Sequence, residues 1–263
     1  MVNTGINNMR KKASFLNNSK PLLCVMVQEA TPDGAIEVIS NALYEGAEAF
    51  GIQLECLDRA FRSEEDLKKI FSACKGLPIY VTSYRNYYNT GMTDEECMEF
   101  LLFAGKCGAT LLDVMGDTFD PCYDELTFDD EAINKQKELI RKIHDLGCEV
   151  LISTHFKEYR DRETVMKFAK AQQERGTDVV KIINISNNEK ELLEHINICA
   201  DLKREIDCEY LYMASGEDCR LLRQICGRLG TLMYLSVNEY RGIYSKEQTI
   251  LRSQKFIRDN MVK

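Results

Sequence analysis

The chain has 263 residues, 44% of them hydrophobic and 29% charged, the balance of a folded soluble protein and not of a disordered, collagenous or membrane-embedded chain. That length suits one (β/α)8 barrel and leaves one or two domains open. A net charge of −8 argues against nucleic acid and anionic membrane as partners. The 11 cysteines are odd in number and contain no Cys-x-x-Cys pair, and there are only 3 histidines, so neither a disulfide framework nor a zinc module fits. Thiols in a reducing cytoplasm are expected.

Residues 1–20 are polar and Asn-rich, without the apolar run of a signal peptide or anchor, and are expected as a flexible tail or a small lid below the domain. Short apolar runs then recur about every thirty residues. They lie at 22–27, 49–54, 78–83, 109–114, 148–153, 178–183, 209–213 and 231–235. The segments between them read as helices. Thr31-Pro32-Asp33 places a capping residue before a proline, and Thr93-Asp94-Glu95-Glu96 puts acids in a first turn. Ser186-Asn187-Asn188 precedes a long stretch to Ile206, and Ser215-Gly216 precedes a helix expected over 217–228. Gly46, Gly108 and Gly147 end helices just before strands. Eight buried strands alternating with helices, and no proline-rich or serine-rich linker, predict an α/β fold with a single (β/α)8 TIM barrel over residues 21–263.

Barrel active sites lie at the C-terminal strand ends. Lys181 sits in the sixth run between Val179-Val180 and Ile182-Ile183. A desolvated lysine there is expected to have a lowered pKa and to attack carbonyls as a neutral amine, forming a Schiff base. The plainer reading is a lysine that snorkels to water or pairs with an acid. His155 follows the fifth run and faces the barrel mouth as an acid or base near neutral pH, or else is a structural histidine bonded to a loop carbonyl. His144 and His195 read as surface or packing residues. Arg85, after the third run, and Arg223, in the helix after the seventh, each offer a fork for a carboxylate, with Arg220 a neighbour on the same helix. Glu217 and Asp218 beside Gly216 disfavour a phosphate, so an unphosphorylated substrate is expected. No dinucleotide, P-loop or metal-ligand spacing occurs. The acidic stretch 113–130, interrupted by Pro121, reads as a solvated loop and not as a cation site.

The segment VLISTHF resembles the strand end Ser-Tyr-His-Asp-Phe of type I 3-dehydroquinate dehydratases, and TDVVKII resembles that family's Ala-Asp-Ile-Val-Lys-Ile-Ala. The resemblance extends through GAEAFGIQLE, LPIYVTSYR and ASGEDCRLLR, so it covers nearly the whole chain after residue 20. It implies that Lys181 forms the imine, His155 is the general acid/base, Arg223 holds the substrate carboxylate, and Gln248 contacts the same end. It matches Arg85 to an arginine after the third strand, on a stretch one residue longer than the family's. The family's Glu-x-Arg-x-Asp falls on Gly51, Gln53 and Glu55, or with a shifted register places Glu55 on the first acid. The family glutamate that orients the histidine falls on Asn89, and a serine of the last loop falls near Tyr244.

The resemblance implies a lyase of the shikimate pathway, in aromatic amino acid biosynthesis, that dehydrates 3-dehydroquinate through a lysine imine. It also implies a small-molecule keto acid as partner, no cofactor or metal, a homodimer and a cytoplasmic location. Two alternatives stay open. One is a class I aldolase-type enzyme or divergent dehydratase acting on another hydroxylated keto acid; the other is a non-catalytic ligand-binding relative.

Overall fold

The computed structural model describes residues 13–261. Eight parallel strands alternate with helices: β1 (Leu22–Val27), α1 (Pro32–Glu45), β2 (Ala49–Gln53), α2 (Glu64–Ala73), β3 (Ile79–Thr82), α3 (Asp94–Cys107), β4 (Leu111–Met115) and α4 (Asp130–Asp145) form the first half. The second half holds β5 (Glu149–His155), α5 (Arg162–Gln173), β6 (Val179–Ile185), α6 (Glu189–Glu205), β7 (Glu209–Ser215), α7 (Arg220–Leu229) and β8 (Met233–Val237). A short β9 (Thr249–Ile250) and α8 (Leu251–Asn260) complete the chain. The strands lie side by side in chain order and β8 returns to β1, with Leu22 opposite Met233. Between β7 and β8 no ladder forms among the described residues, and the seam is bridged by Leu232 N–H donating to Tyr210 O at 2.9 Å. The fold is the expected TIM barrel.

The local signals act as their chemistry dictates. Thr31 Oγ1 accepts from Gly34 N–H with Pro32 in the first turn, and Thr93 and Glu96 form a reciprocal capping box. Gly46 ends α1 at φ 95°, a left-handed conformation that costs glycine little. Strand limits shift from the sequence reading by one or two residues in places, and two differences bear on the site. Helix α7 starts at Arg220, three residues late, because Gly216 takes φ 106°, where a Cβ would stand 2.7 Å from the Ser186 carbonyl oxygen, and Cys219 offers no side-chain cap. The two-residue β9 was not expected; it pairs Ser236 with Thr249 and holds Gln248 over the barrel mouth.

Residues 1–12 of the expected N-terminal segment lie outside the described residues. The rest of that segment is tied to the barrel. Phe15 is fully buried in the main core, its amide donates to Glu149 Oε2 at 2.9 Å, and Ser14 bonds the same carboxylate. Because Glu149 opens β5, this contact closes the N-terminal end of the barrel and leaves the opposite end for chemistry. Among the described residues no helix is long and apolar enough to cross a membrane.

Candidate active site

Side chains two residues apart on a barrel strand share its inner face. Tyr80 and Thr82 of β3, Lys181 and Ile183 of β6, and Met213 and Ser215 of β7 therefore line one cavity of about 210 Å3 at the C-terminal strand ends. Gln53, Tyr84, His155, Arg223, Ser245, Glu247 and Gln248 complete its polar wall. A neighbouring chamber of about 520 Å3 shares Gln53, Tyr84 and His155, and adds Arg85, Asp117, Glu125 and Lys157.

Lys181 is 4% exposed at the floor of the inner cavity. Its Nζ lies 3.1 Å from Asp113 Oδ2, 2.9 Å from Tyr80 Oη and 2.5 Å from Tyr84 Oη. Both phenols also donate to Asp113 Oδ2, Tyr84 at 2.6 Å. The lysine is thus both in the cavity and paired with an acid, so the two readings of the sequence describe one arrangement. Burial first, then the charge of Asp113, raises both phenols well above the ordinary tyrosine range, which keeps them protonated donors.

His155 stands two residues further along β5 than Ser153, which is the register partner of Lys181, so the imidazole overlooks the amine from the adjacent strand. Its Nδ1 is 2.9 Å from Glu125 Oε2, and its backbone N–H donates to the same oxygen at 3.2 Å. A carboxylate only accepts, so Nδ1 carries the proton and Nε2 is left for a ligand. Burial raises Glu125, but the His155 hydrogen bond and charge outweigh it and hold the carboxyl below its ordinary range. It therefore stays ionised at neutral pH.

Glu125 belongs to the acidic stretch expected as a solvated loop, and that expectation holds only in part. Residues 120–123 and 128–130 are exposed, whereas Asp117, Thr118, Leu126 and Thr127 are buried. Arg175 at the end of α5 clamps the loop, with Nη1 2.7 Å from Gly116 O and Nη2 bonded to Thr127 O. Among the described residues no carboxylate pairs with this cation, and burial pulls its guanidinium down to about 10. Glu125 itself takes φ 52°, and a Cβ on Gly116 would stand 2.6 Å from the Glu125 carbonyl, so only glycine allows this closure. No cluster able to hold a metal occurs among the described residues.

The other expected residues divide. Arg223 is 7% exposed, with Nε 2.6 Å from Ala214 O and Nη2 3.2 Å from Ser215 Oγ and 3.5 Å from Glu247 Oε2. Gln53 and Gln248 line the cavity, and each has a buried Oε1 without a protein partner. Arg85 lines only the outer chamber, where Asp94 and Asp117 hold it at 2.5 and 2.8 Å. Glu55 lies beneath the wall, bonded to Thr82 Oγ1 at 2.8 Å and raised by burial. Asn89 is fully buried and lines neither chamber; its Nδ2 donates to Ser83 Oγ at 3.1 Å and Tyr84 O at 2.8 Å. Asn89→Glu is thus expected to lower turnover. A carboxylate cannot make those two donations, and Glu125 already occupies His155 Nδ1; the stability loss is ~1–3 kcal/mol by urea unfolding. Of the remaining histidines, His195 is buried against Tyr212 Oη at 2.8 Å, and His144 meets Asp178 at the surface.

The sequence model described as Type I 3-dehydroquinase matches residues 23–240. The chain belongs to that family. Family members are hydro-lyases that dehydrate 3-dehydroquinate, and solved members share the fold. The 3-dehydroquinate dehydratase of Geobacillus kaustophilus superposes with a TM-score of 0.79 at 12% identity, covering 92% of this chain and 91% of that one. The type I enzyme of Clostridium difficile with covalently modified comenic acid gives 0.76 at 17% identity, covering 92% of each. A structure titled as native KDPGal is more distant, with a TM-score of 0.53 at 15% identity and coverage of 91% and 94%. No curated protein sequence matches.

Against the family pattern, the departures in β2 have a packing reason. A Cβ on Gly51 would stand 2.4 Å from Met26 Sδ and 3.1 Å from the Tyr80 ring, so glycine makes room first for Met26 and then for Tyr80. The sequence reading did not single out Asp113, Tyr80, Tyr84 or Glu125. Asp113 carried a signal: a lone acid in the apolar strand LLDVM is the counterpart of a lone lysine in VVKIINI.

Proposed function

We propose that this family member dehydrates 3-dehydroquinate through an imine on Lys181. The observation that carries the reading is a buried amine at the floor of a cavity whose wall also presents His155 and Arg223. Lys181 condenses with the substrate ketone, and the iminium draws electrons from the adjacent C–H bond. His155, with Nδ1 held by Glu125, takes that proton at Nε2 and returns one to the departing hydroxyl. Water then releases the enone acid. Arg223 and Gln248 position the carboxylate, and Gln53 meets ring hydroxyls. A turnover assay with 3-dehydroquinate that follows enone absorbance tests the reading; no turnover with a folded enzyme overturns it.

A second reading keeps the same chemistry on another hydroxylated keto acid. It is favoured by β2, where the ungapped match puts Gly51 and Gln53 in place of a carboxylate and an arginine, and where Met26 and the Tyr80 ring pack against Gly51. The same assay with related keto acids decides between them. A homodimer and a cytoplasmic location belong to the same proposal, with light scattering and cell fractionation as their tests.

Arg223 offers a sharper check. Arg223→Ala is expected to weaken substrate binding by ~2 kcal/mol, the low end for losing a buried charged contact, because Glu247 already shares the guanidinium. The effect should fall on KM. Arg220 is exposed and bonds Lys246 O and Tyr240 Oη outside the cavity, so Arg220→Ala should change KM much less. Equal effects would show that the clamp is misassigned.

A further inference from the structure

Tyr84 stands just beyond β3, and its hydroxyl touches both members of the buried ion pair. The Oη is 2.5 Å from Lys181 Nζ and 2.6 Å from Asp113 Oδ2, and the ring meets His155 edge-on with centroids 5.4 Å apart. Tyr80 also reaches Nζ, at 2.9 Å, but it is fully buried and lines only the inner cavity. Tyr84 lines both chambers, so a ligand arriving at Lys181 meets its phenol.

We propose that Tyr84 is a catalytic residue that relays protons among Lys181, Asp113 and the substrate carbonyl oxygen while the imine forms and is hydrolysed. The proposal rests on the imine reading above. Condensation of an ammonium with a ketone forms a C=N bond, breaks the C–O bond and moves two protons from nitrogen to the departing water. Asp113 accepts the first from the Lys181 ammonium, and the amine attacks the carbonyl carbon. Tyr84 gives its proton to the resulting alkoxide and recovers one from the carbinolamine nitrogen. It then protonates the carbinolamine hydroxyl, which leaves as water, and is reprotonated by Asp113. The iminium, the Asp113 carboxylate and the neutral phenol remain, so both residues return to their starting state. The position of Tyr84, with one oxygen in reach of nitrogen and carboxylate together, is what such a relay requires. It leaves His155 for the C–H bond and the second departing hydroxyl.

The test separates this step from the rest. The full-length enzyme is mixed with 3-dehydroquinate, quenched with borohydride at successive times, and the Lys181 adduct counted by mass spectrometry. Tyr84→Phe should form the adduct ~100-fold more slowly, the usual scale for a positioned acid/base, with the protein still folded by circular dichroism. Adduct formation at the wild-type rate overturns the relay. Replacing Tyr84 by a ring-fluorinated tyrosine keeps the hydroxyl and lowers its pKa, so the pH profile of adduct formation should move to lower pH; an unmoved profile overturns the relay even if Tyr84→Phe misfolds. Failure of the underlying imine reading looks different: wild-type enzyme turns substrate over without any adduct, or Lys181→Ala still turns it over.

Discussion

Lys181→Ala is expected to abolish turnover of 3-dehydroquinate and also to destabilise the fold. The first effect would follow from losing the proposed nucleophile. The second follows from Asp113, which is 1% exposed and keeps only two phenol donors once the amine 3.1 Å away is removed. Breaking a buried ion pair by deleting one partner costs ~3–5 kcal/mol, and the retained phenols put this site near the lower figure. The double variant Lys181→Ala/Asp113→Asn should recover part of the stability and none of the activity. Urea unfolding and the enone assay check both. An isolated neutral lysine would instead leave stability unchanged on removal, so an unaltered midpoint in the single variant would contradict the ion pair.

His155→Ala has the next largest expected effect, a ~10²–10⁴-fold loss in kcat, the worth of a positioned acid/base. Imine formation survives, because Tyr84 and Asp113 stand at the amine and His155 does not contact it among the hydrogen bonds of Lys181. An adduct that accumulates without product is the expected signature. Glu125→Gln should produce a smaller loss of the same kind, because an amide at that position no longer fixes the imidazole by charge. The Glu125 carboxyl is held below its ordinary range, so its support is present at neutral pH and is lost only as acid protonates it below that range. In Glu125→Gln the corresponding acid limb of the kcat profile should flatten. A normal imine rate with normal turnover in His155→Ala would remove the histidine from the mechanism.

Much of this site was legible from strand residues and little of it from loops. Barrel strands impose a two-residue period, so a lysine between paired valines and isoleucines had to be buried inside or above the barrel, and it is. The same argument applied to Asp113 in LLDVM, and pairing the two lone charges would have predicted the ion pair. Glu125 had no such signal. Its position depends on a left-handed backbone, on Gly116 packing against its carbonyl, and on Arg175 holding the loop from a helix end far along the chain. None of these is periodic, and a run of acids with a proline resembles a solvated loop by composition. Asn89 illustrates the converse: matching it to a family position gave it a place beside the histidine, whereas it is buried with its amide donating to Ser83 Oγ and Tyr84 O.

The central claim is that Lys181 bonds covalently to the substrate, and reductive trapping tests it most directly. Wild-type enzyme is incubated with 3-dehydroquinate and borohydride, digested, and its peptides weighed. We expect the mass of one reduced ligand on the peptide that contains Lys181, formed in parallel with loss of activity and absent from Lys181→Ala. Undiminished turnover with no adduct, or an adduct on any other lysine, would contradict it.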